Sequence, residues 1–167
     1  MKKVVWGIIP NYVFSNPRVW TACQRDDEDQ IGWKGAYIYD GKKHKCKPIL
    51  VKLYIPASAQ RTRYYTENHE RYSKHRCEVA KVLGFYSYYT GKELKSVKEA
   101  LSFFTGTNMY QKDCFVFPTY YSYRNIVCGQ GIHFFYEKKC ALMYLDYMGS
   151  EYNYKLRKNN MWEYDKK

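Results

Sequence analysis

Apolar side chains recur at every second position along several short stretches of the chain. From Ile49 to Ile55, the residues Ile49, Val51, Leu53 and Ile55 alternate with Leu50, Lys52 and Tyr54. Alternation of this kind sends successive side chains to opposite faces of a strand. Ile31–Tyr39 also reads as a strand and ends in the turn pair Asp40-Gly41. The two stretches predict a β-hairpin with a basic tip, Lys42-Lys43-His44-Lys45-Cys46-Lys47. Cys77–Phe85 predicts another strand, with Cys77, Val79, Leu83 and Phe85 on one side and Ala80 and Val82 on the other. Lys81 interrupts the apolar run, so this strand is expected to be covered mainly on one side. Val4–Ile9, Phe115–Pro118 and Ile132–Phe135 are shorter strand candidates.

Two stretches change period. Leu94, Val97, Leu101 and Phe104 share one face of a helix, with Gly91 ahead of it and Gly106 closing it. A second helix is predicted from Tyr136 to Met148. It buries Tyr136, Cys140, Ala141, Tyr144, Leu145 and Met148, with Gly149 as its C-cap. Asn11–Gln30 and Pro56–Arg76 are polar and turn-rich and read as irregular. The acidic run Asp26-Asp27-Glu28-Asp29 reads as a solvated loop. The expected architecture is α+β: a single compact domain over residues 1–149, mostly antiparallel twisted sheet with two helices. A basic polar tail over 150–167 follows.

Composition adds a direction. Lys plus Arg number 28 against 16 Asp plus Glu, a net charge of +12, which favours anionic partners. The 20 Tyr, 8 Phe and 4 Trp supply rings with both apolar and polar edges. Val4–Ile9 is too short for a signal h-region, and nothing approaches the roughly 18 apolar residues of a membrane span. The expectation is therefore a cytoplasmic protein, with nucleus or virion as alternatives, and no membrane. The six Cys are then expected as thiols.

Arg61–Arg76 interleaves Arg61, Arg63, Arg71, Lys74 and Arg76 with Tyr64, Tyr65 and Tyr72. Cations neutralise phosphates and tyrosine rings stack unpaired bases, so the segment is a candidate polyanion contact. Its proposed site residues are Arg61, Arg63, Tyr64, Arg71, Lys74 and Arg76. Lys34 and His133 would line a cleft with Trp33 as one wall. His44-x-Cys46 and His75-x-Cys77 repeat one spacing, but zinc sites favour wider pairs, so no metal and no cofactor is assigned. Cys128 or Cys140 with His133 would make a Cys-His pair, but no orienting carboxylate or oxyanion loop accompanies it, so no catalytic residue is assigned.

Four segments together carry a resemblance. They are Gly32-Trp33-Lys34, the stretch Val51-Lys52-Leu53-Tyr54-Ile55-Pro56 continuing to Arg61, His75-Arg76-Cys77 continuing to Leu83, and Cys128 through Ile132-His133-Phe134-Phe135. In order and spacing they resemble an uncharacterised domain that accompanies pentapeptide-repeat proteins of large DNA viruses and phages. The resemblance covers roughly residues 31–145. It implies a viral accessory protein and transfers no reaction. The pentapeptide repeats are missing, and His75 stands where the pattern has a first Cys. Gly129–Phe134 with Ala141 and Tyr144 is also similar to one element of ADP-ribosyltransferase folds, which implies a nucleotide-shaped cleft. The late catalytic glutamate of those folds has no clear counterpart. The leading expectation is recognition or sequestration of RNA, DNA or a nucleotide. The alternatives are an NAD-using ADP-ribosyltransferase-like enzyme and a module that binds an acidic protein.

Overall fold

The computed structural model describes residues 19–24, 28–40, 45–66, 74–102, 109–122, 130–151 and 162–163. Of these, the side chains at 19–24, 40, 45, 62–66, 147–151 and 162–163 are not described.

The alternating stretches form the centre of a large sheet. Strands β2 (Gln30–Asp40) and β3 (Lys45–Ile55) pair along their whole length, from Gln30 opposite Ile55 to Asp40 opposite Lys45. β6 (Ala80–Ser87) lies against the other edge of β3, and β9 (Phe115–Val116) against β6. β7 (Glu99–Leu101) pairs with β2, and β8 (Met109–Gln111) with β7. The order is β8-β7-β2-β3-β6-β9, with β11 (Trp162–Glu163) beside the start of β3. A smaller sheet has the order β1-β4-β5-β10: β1 is Val19–Gln24, β4 Arg61–Thr66, β5 His75–Cys77 and β10 Ile132–Phe134. Every strand pairing is antiparallel. The helix α1 (Lys138–Glu151) is the one α-helix among the described residues. None there is long and apolar enough to cross a membrane.

The two faces of β2 meet different neighbours. Across the register, Gly32 faces Leu53, Lys34 faces Val51 and Ala36 faces Ile49. This row joins Val82, Phe85, Ala100, Tyr110 and Val116 with Cys77, Ile132 and Phe134 of the smaller sheet in one core. Gly32 makes the close approach of the sheets feasible, because a Cβ there would lie 2.7 Å from Phe134 Cδ2. On the opposite face, Leu50 packs with Phe135, Cys140, Ala141 and Leu145 beneath the helix. A Cβ on Gly35 would lie 2.5 Å from Leu145 Cδ2, so the bare backbone lets α1 settle onto β2. The Tyr88 hydroxyl donates to Asp146, and Lys138 Nζ donates to the Gly91 carbonyl at 2.9 Å, fixing the helix flank to the turn after β6.

Several expectations change. The helix over 94–104 is not present where the chain is described. After β6, Gly91 takes a φ of 67° and the chain doubles back, with Leu94 N donating to Phe85 O at 2.8 Å. Val97 N then donates to Leu94 O at 3.1 Å in one turn before β7. The i, i+3 spacing of Leu94 and Val97 is met by this turn, and both pack on the core. The Cys77–Phe85 stretch is split, with β5 in the small sheet and β6 in the large one. Pairing in β6 steps from Lys52–Gly84 to Leu53–Val82, a bulge that leaves Leu83 as the extra residue. Ala80 and Val82 therefore share a core with Phe85. Residues 19–24, 61–66 and 75–76, read as irregular, lie in strands. α1 runs through Gly149 to Glu151, so Gly149 is not its cap. The strand Val4–Ile9 and residues 41–44 lie outside the described residues, while Lys45, Cys46 and Lys47 of the expected basic tip belong to β3.

Candidate functional site

On the larger sheet, the face that carries α1 extends beyond the helix as an open surface. Two cross-strand rows build it. Ile31, Tyr54, Lys81 and Phe115 stand in line across β2, β3, β6 and β9. Trp33, Lys52 and Gly84 form the next row. Trp33, Lys52, Tyr54, Lys81 and Tyr86 are half-buried, whereas Ile31 is 39% and Phe115 52% exposed. Trp33 and Tyr86 meet edge to face with centroids 5.2 Å apart. Lys52 Nζ lies 5.8 Å from the Trp33 ring centre. Lys138 Nζ, at the start of α1, lies 5.1 Å from Trp33 and 4.9 Å from Tyr86. Ammonium groups over electron-rich ring faces are favourable contacts, strongest on Trp.

Two carboxylates at the border of this surface, Glu93 and Asp29, are engaged. Glu93 pairs with Lys112 at 3.6 Å. Asp29 accepts from Ala57 N at 2.9 Å, and this bond, followed by one from Tyr54, holds its carboxyl below the usual value. The remaining chemistry of the surface is aromatic faces interleaved with lysines. Such a surface can stack flat rings and neutralise phosphate.

The residues singled out from sequence scatter. Trp33 and Lys34 are consecutive on a strand and point to opposite faces, so they do not wall one cleft. Lys34 is 7% exposed between the sheets, its Nζ 5.7 Å from the Tyr110 ring centre. Burial, followed by the nearby Lys74 charge, lowers its ammonium to about 8. Arg61 is 0% exposed. Its Nη2 donates to the carbonyls of Pro56 at 2.7 Å, Ile55 at 3.1 Å and Glu28 at 3.5 Å. Arg76 is 2% exposed; its Nη1 donates to Gln130 O at 3.5 Å and its Cζ lies 5.9 Å from the Tyr121 ring centre. Both arginines thus differ from the accessible phosphate contacts expected of a loop. As part of strands, they are turned inward and serve backbone carbonyls.

Lys74 is half-buried with Nζ 5.3 Å from the Tyr144 ring centre. His133 is half-buried opposite Arg76 in β10. The backbones of Arg63 and Tyr64 pair with Ala22 and Thr21. Their side chains, and Arg71 entirely, lie outside the described residues.

His75 and Cys77 are buried. The His75 ring packs 4.8 Å from Tyr136 and 5.7 Å from Phe134. Burial pushes the Cys77 thiol up to about 12. Among the described residues no three His, Cys, Asp or Glu side chains converge as metal ligands. His44 and Cys128 lie outside the described residues, and Cys140 is a buried residue of α1.

Sequence reasoning missed Lys52, Tyr54, Lys81, Tyr86, Phe115 and Lys138 as candidate site residues. Their signal was the polar half of the alternation, at Lys52 and Tyr54 between core positions, and the lysine that interrupts β6 at Lys81. Residues 20–141 match a family described as a family of unknown function, DUF5758. No solved structure matches the chain.

Proposed function

The chain belongs to DUF5758, a family of unknown function, and we propose that it binds single-stranded nucleic acid on the open face of its larger sheet. The observation that carries the reading is the placing of the Lys52 and Lys138 ammonium groups on the Trp33 and Tyr86 rings, with Lys81 and Tyr54 in the adjoining row. Sheet faces with exposed rings suit single strands, because every base has a face to stack and needs no particular edge. Each lysine stem is long enough to swing its ammonium from ring to phosphate, leaving the ring for a base. The net charge of +12 adds long-range attraction for a polyanion.

Binding of a short labelled single-stranded RNA or DNA by fluorescence anisotropy tests this. Affinity is expected to fall steeply with salt, with a logarithmic slope of about −0.7 per phosphate neutralised. Lys52→Ala, Lys81→Ala and Lys138→Ala are each expected to flatten that slope by roughly the contribution of one phosphate. Trp33→Ala is expected to cost on the order of 1–3 kcal/mol of affinity. Absence of binding at low salt, or a slope unchanged in the combined lysine variant, defeats the proposal. Capture of an acidic protein that persists after nuclease treatment, without oligonucleotide affinity, points instead to a protein-binding module.

A further inference from the structure

The row that begins with Trp33 and Lys52 ends on a residue with no side chain. Gly84 stands opposite Lys52 where β6 pairs with β3. A Cβ built there would meet only two described atoms within 4 Å, Glu93 Oε1 at 3.4 Å and Tyr86 Cε2 at 3.7 Å. The bare backbone is thus the floor of a notch in the open face, with the Tyr86 ring on one side and a carboxylate at the rim. Backbone pairing holds that carboxylate in place. Glu93 bridges Tyr86 between two hydrogen bonds, Ser87 N donating to Lys92 O and Leu94 N donating to Phe85 O, each at 2.8 Å. Lys112 Nζ lies 3.6 Å from the same Glu93 oxygen that faces Gly84. A surface pair of this length is weak, so a better set of donors displaces the lysine. Its positive charge meanwhile offsets the repulsion between Glu93 and a polyanion.

An ionised carboxylate only accepts hydrogen bonds, and it does so through two oxygens. Of the common bases, guanine alone sets two donors side by side on its pairing edge, N1–H and the N2 amine. Adenine and cytosine place an acceptor next to their amine, and uracil and thymine flank a single N–H with two carbonyls. We infer that Glu93 makes the open face prefer guanine: one guanine enters the Gly84 notch beside Tyr86, and its N1–H and N2 amine donate to the Glu93 carboxylate. The inference rests on the reading of that face as a single-strand surface and adds a base preference to it.

The test is fluorescence anisotropy of the full chain with short uridine tracts that carry one central guanosine, inosine or adenosine, and with the matching thymidine tracts in DNA. The guanine-bearing tract is expected to bind about 5- to 100-fold tighter than the adenine-bearing one, the range of a two-bond base contact. Inosine lacks the N2 amine and should fall between them. Glu93→Gln leaves one acceptor in place of two, and it should bring the three tracts to one affinity. Any gain from the removed negative charge is shared by all three. The comparison in the native chain decides by itself should the variant fold poorly. Equal affinities for the three tracts in the native chain, or a guanine preference that survives in Glu93→Gln, overturns the inference. If the tracts bind equally while Lys52→Ala, Lys81→Ala and Lys138→Ala still flatten the salt slope, the open face stands without a base preference. If no tract binds at low salt, both readings fall.

Discussion

Trp33 and Lys34 are adjacent in sequence and sit in two different solvents. The row from Lys34 through Val51 and Phe85 is sealed beneath the smaller sheet. The row from Trp33 through Lys52 reaches a surface where lysines lie on rings and water is close. On the sealed side, two polar side chains reach backbone carbonyls. Arg61 takes three carbonyls, and the Cys77 sulfur lies 3.8 Å from Ile132 O. On the open side the lysines Lys52 and Lys138 have the rings of Trp33 and Tyr86. Residue type does not sort these groups. Lysine occurs on both faces, and strand parity decides which lysine can meet a polyanion.

Removing one ring from each face gives the largest contrast. Phe134 is 0% exposed in the inter-sheet core, and Phe134→Ala is expected to cost about 3–5 kcal/mol. Phe115 is 52% exposed, and Phe115→Ala should change stability by no more than about 0.5 kcal/mol. Urea unfolding of both variants checks the pair. Equal losses would mean that the face carrying Phe115 is covered and is no binding surface.

Lys34 itself provides the next test. Its ammonium is lowered from 10.5 to about 8 in the folded chain. Below pH 8 both folded and unfolded chains hold the proton, and the folded state bears the full penalty. Between about 8 and 10.5 the unfolded chain binds more protons, so this group makes stability rise with pH. The penalty at neutral pH is on the order of 3 kcal/mol, and it is gone above the unfolded value. Cys77 and Tyr110 act oppositely, since their raised values make stability fall once the unfolded groups ionise. Both remain in Lys34→Met, so the difference between native and variant isolates Lys34. In phosphate-free buffer, urea unfolding should show Lys34→Met gaining most at pH 7, with the gap closing towards pH 10.5. A gap independent of pH would place the Lys34 ammonium in water.

How far these faces were legible in the chain depends on the strand. The β2–β3 hairpin is visible because its sealed positions are aliphatic without exception from Ile49 to Ile55. β4 is invisible by the same rule, because Arg61-Thr62-Arg63-Tyr64-Tyr65-Thr66 has no aliphatic residue, and its inward Arg61 is satisfied by carbonyls that only the fold brings near. In β6 the parity was misread because the bulge at Leu83 shifts the alternation by one residue. The Leu94–Val97 spacing suits a helix and a single turn equally, and the pairing of β7 with β2 and β8 settles it. The sequence search for a polyanion site followed the density of Arg, whereas the open surface is made by single lysines on strands far apart in the chain. No local window contains that signal.

The border between helix-covered and open surface can be located by two glycines on one face. At Gly35 an added methyl would lie 2.5 Å from Leu145 Cδ2 and 2.7 Å from Cγ, and Leu145 is 0% exposed with no room to yield. Gly35→Ala should therefore cost about 1–3 kcal/mol, the usual penalty of overfilling a packed contact. At Gly84 the nearest atom is Glu93 Oε1 at 3.4 Å, the far end of a flexible side chain. There the methyl meets no fixed wall, and alanine restricts the unfolded chain more than glycine does. Gly84→Ala is thus expected to be neutral or to stabilise by up to about 1 kcal/mol. Denaturant melts of the two single variants, and of Gly35→Ala combined with Leu145→Ala, separate the causes. If Leu145 is the wall, the double variant loses less than the sum of its parts, with a coupling of about 0.5–3 kcal/mol. Additive losses would show that Gly35 is constrained by something other than the helix, and the border of the open face would have to move.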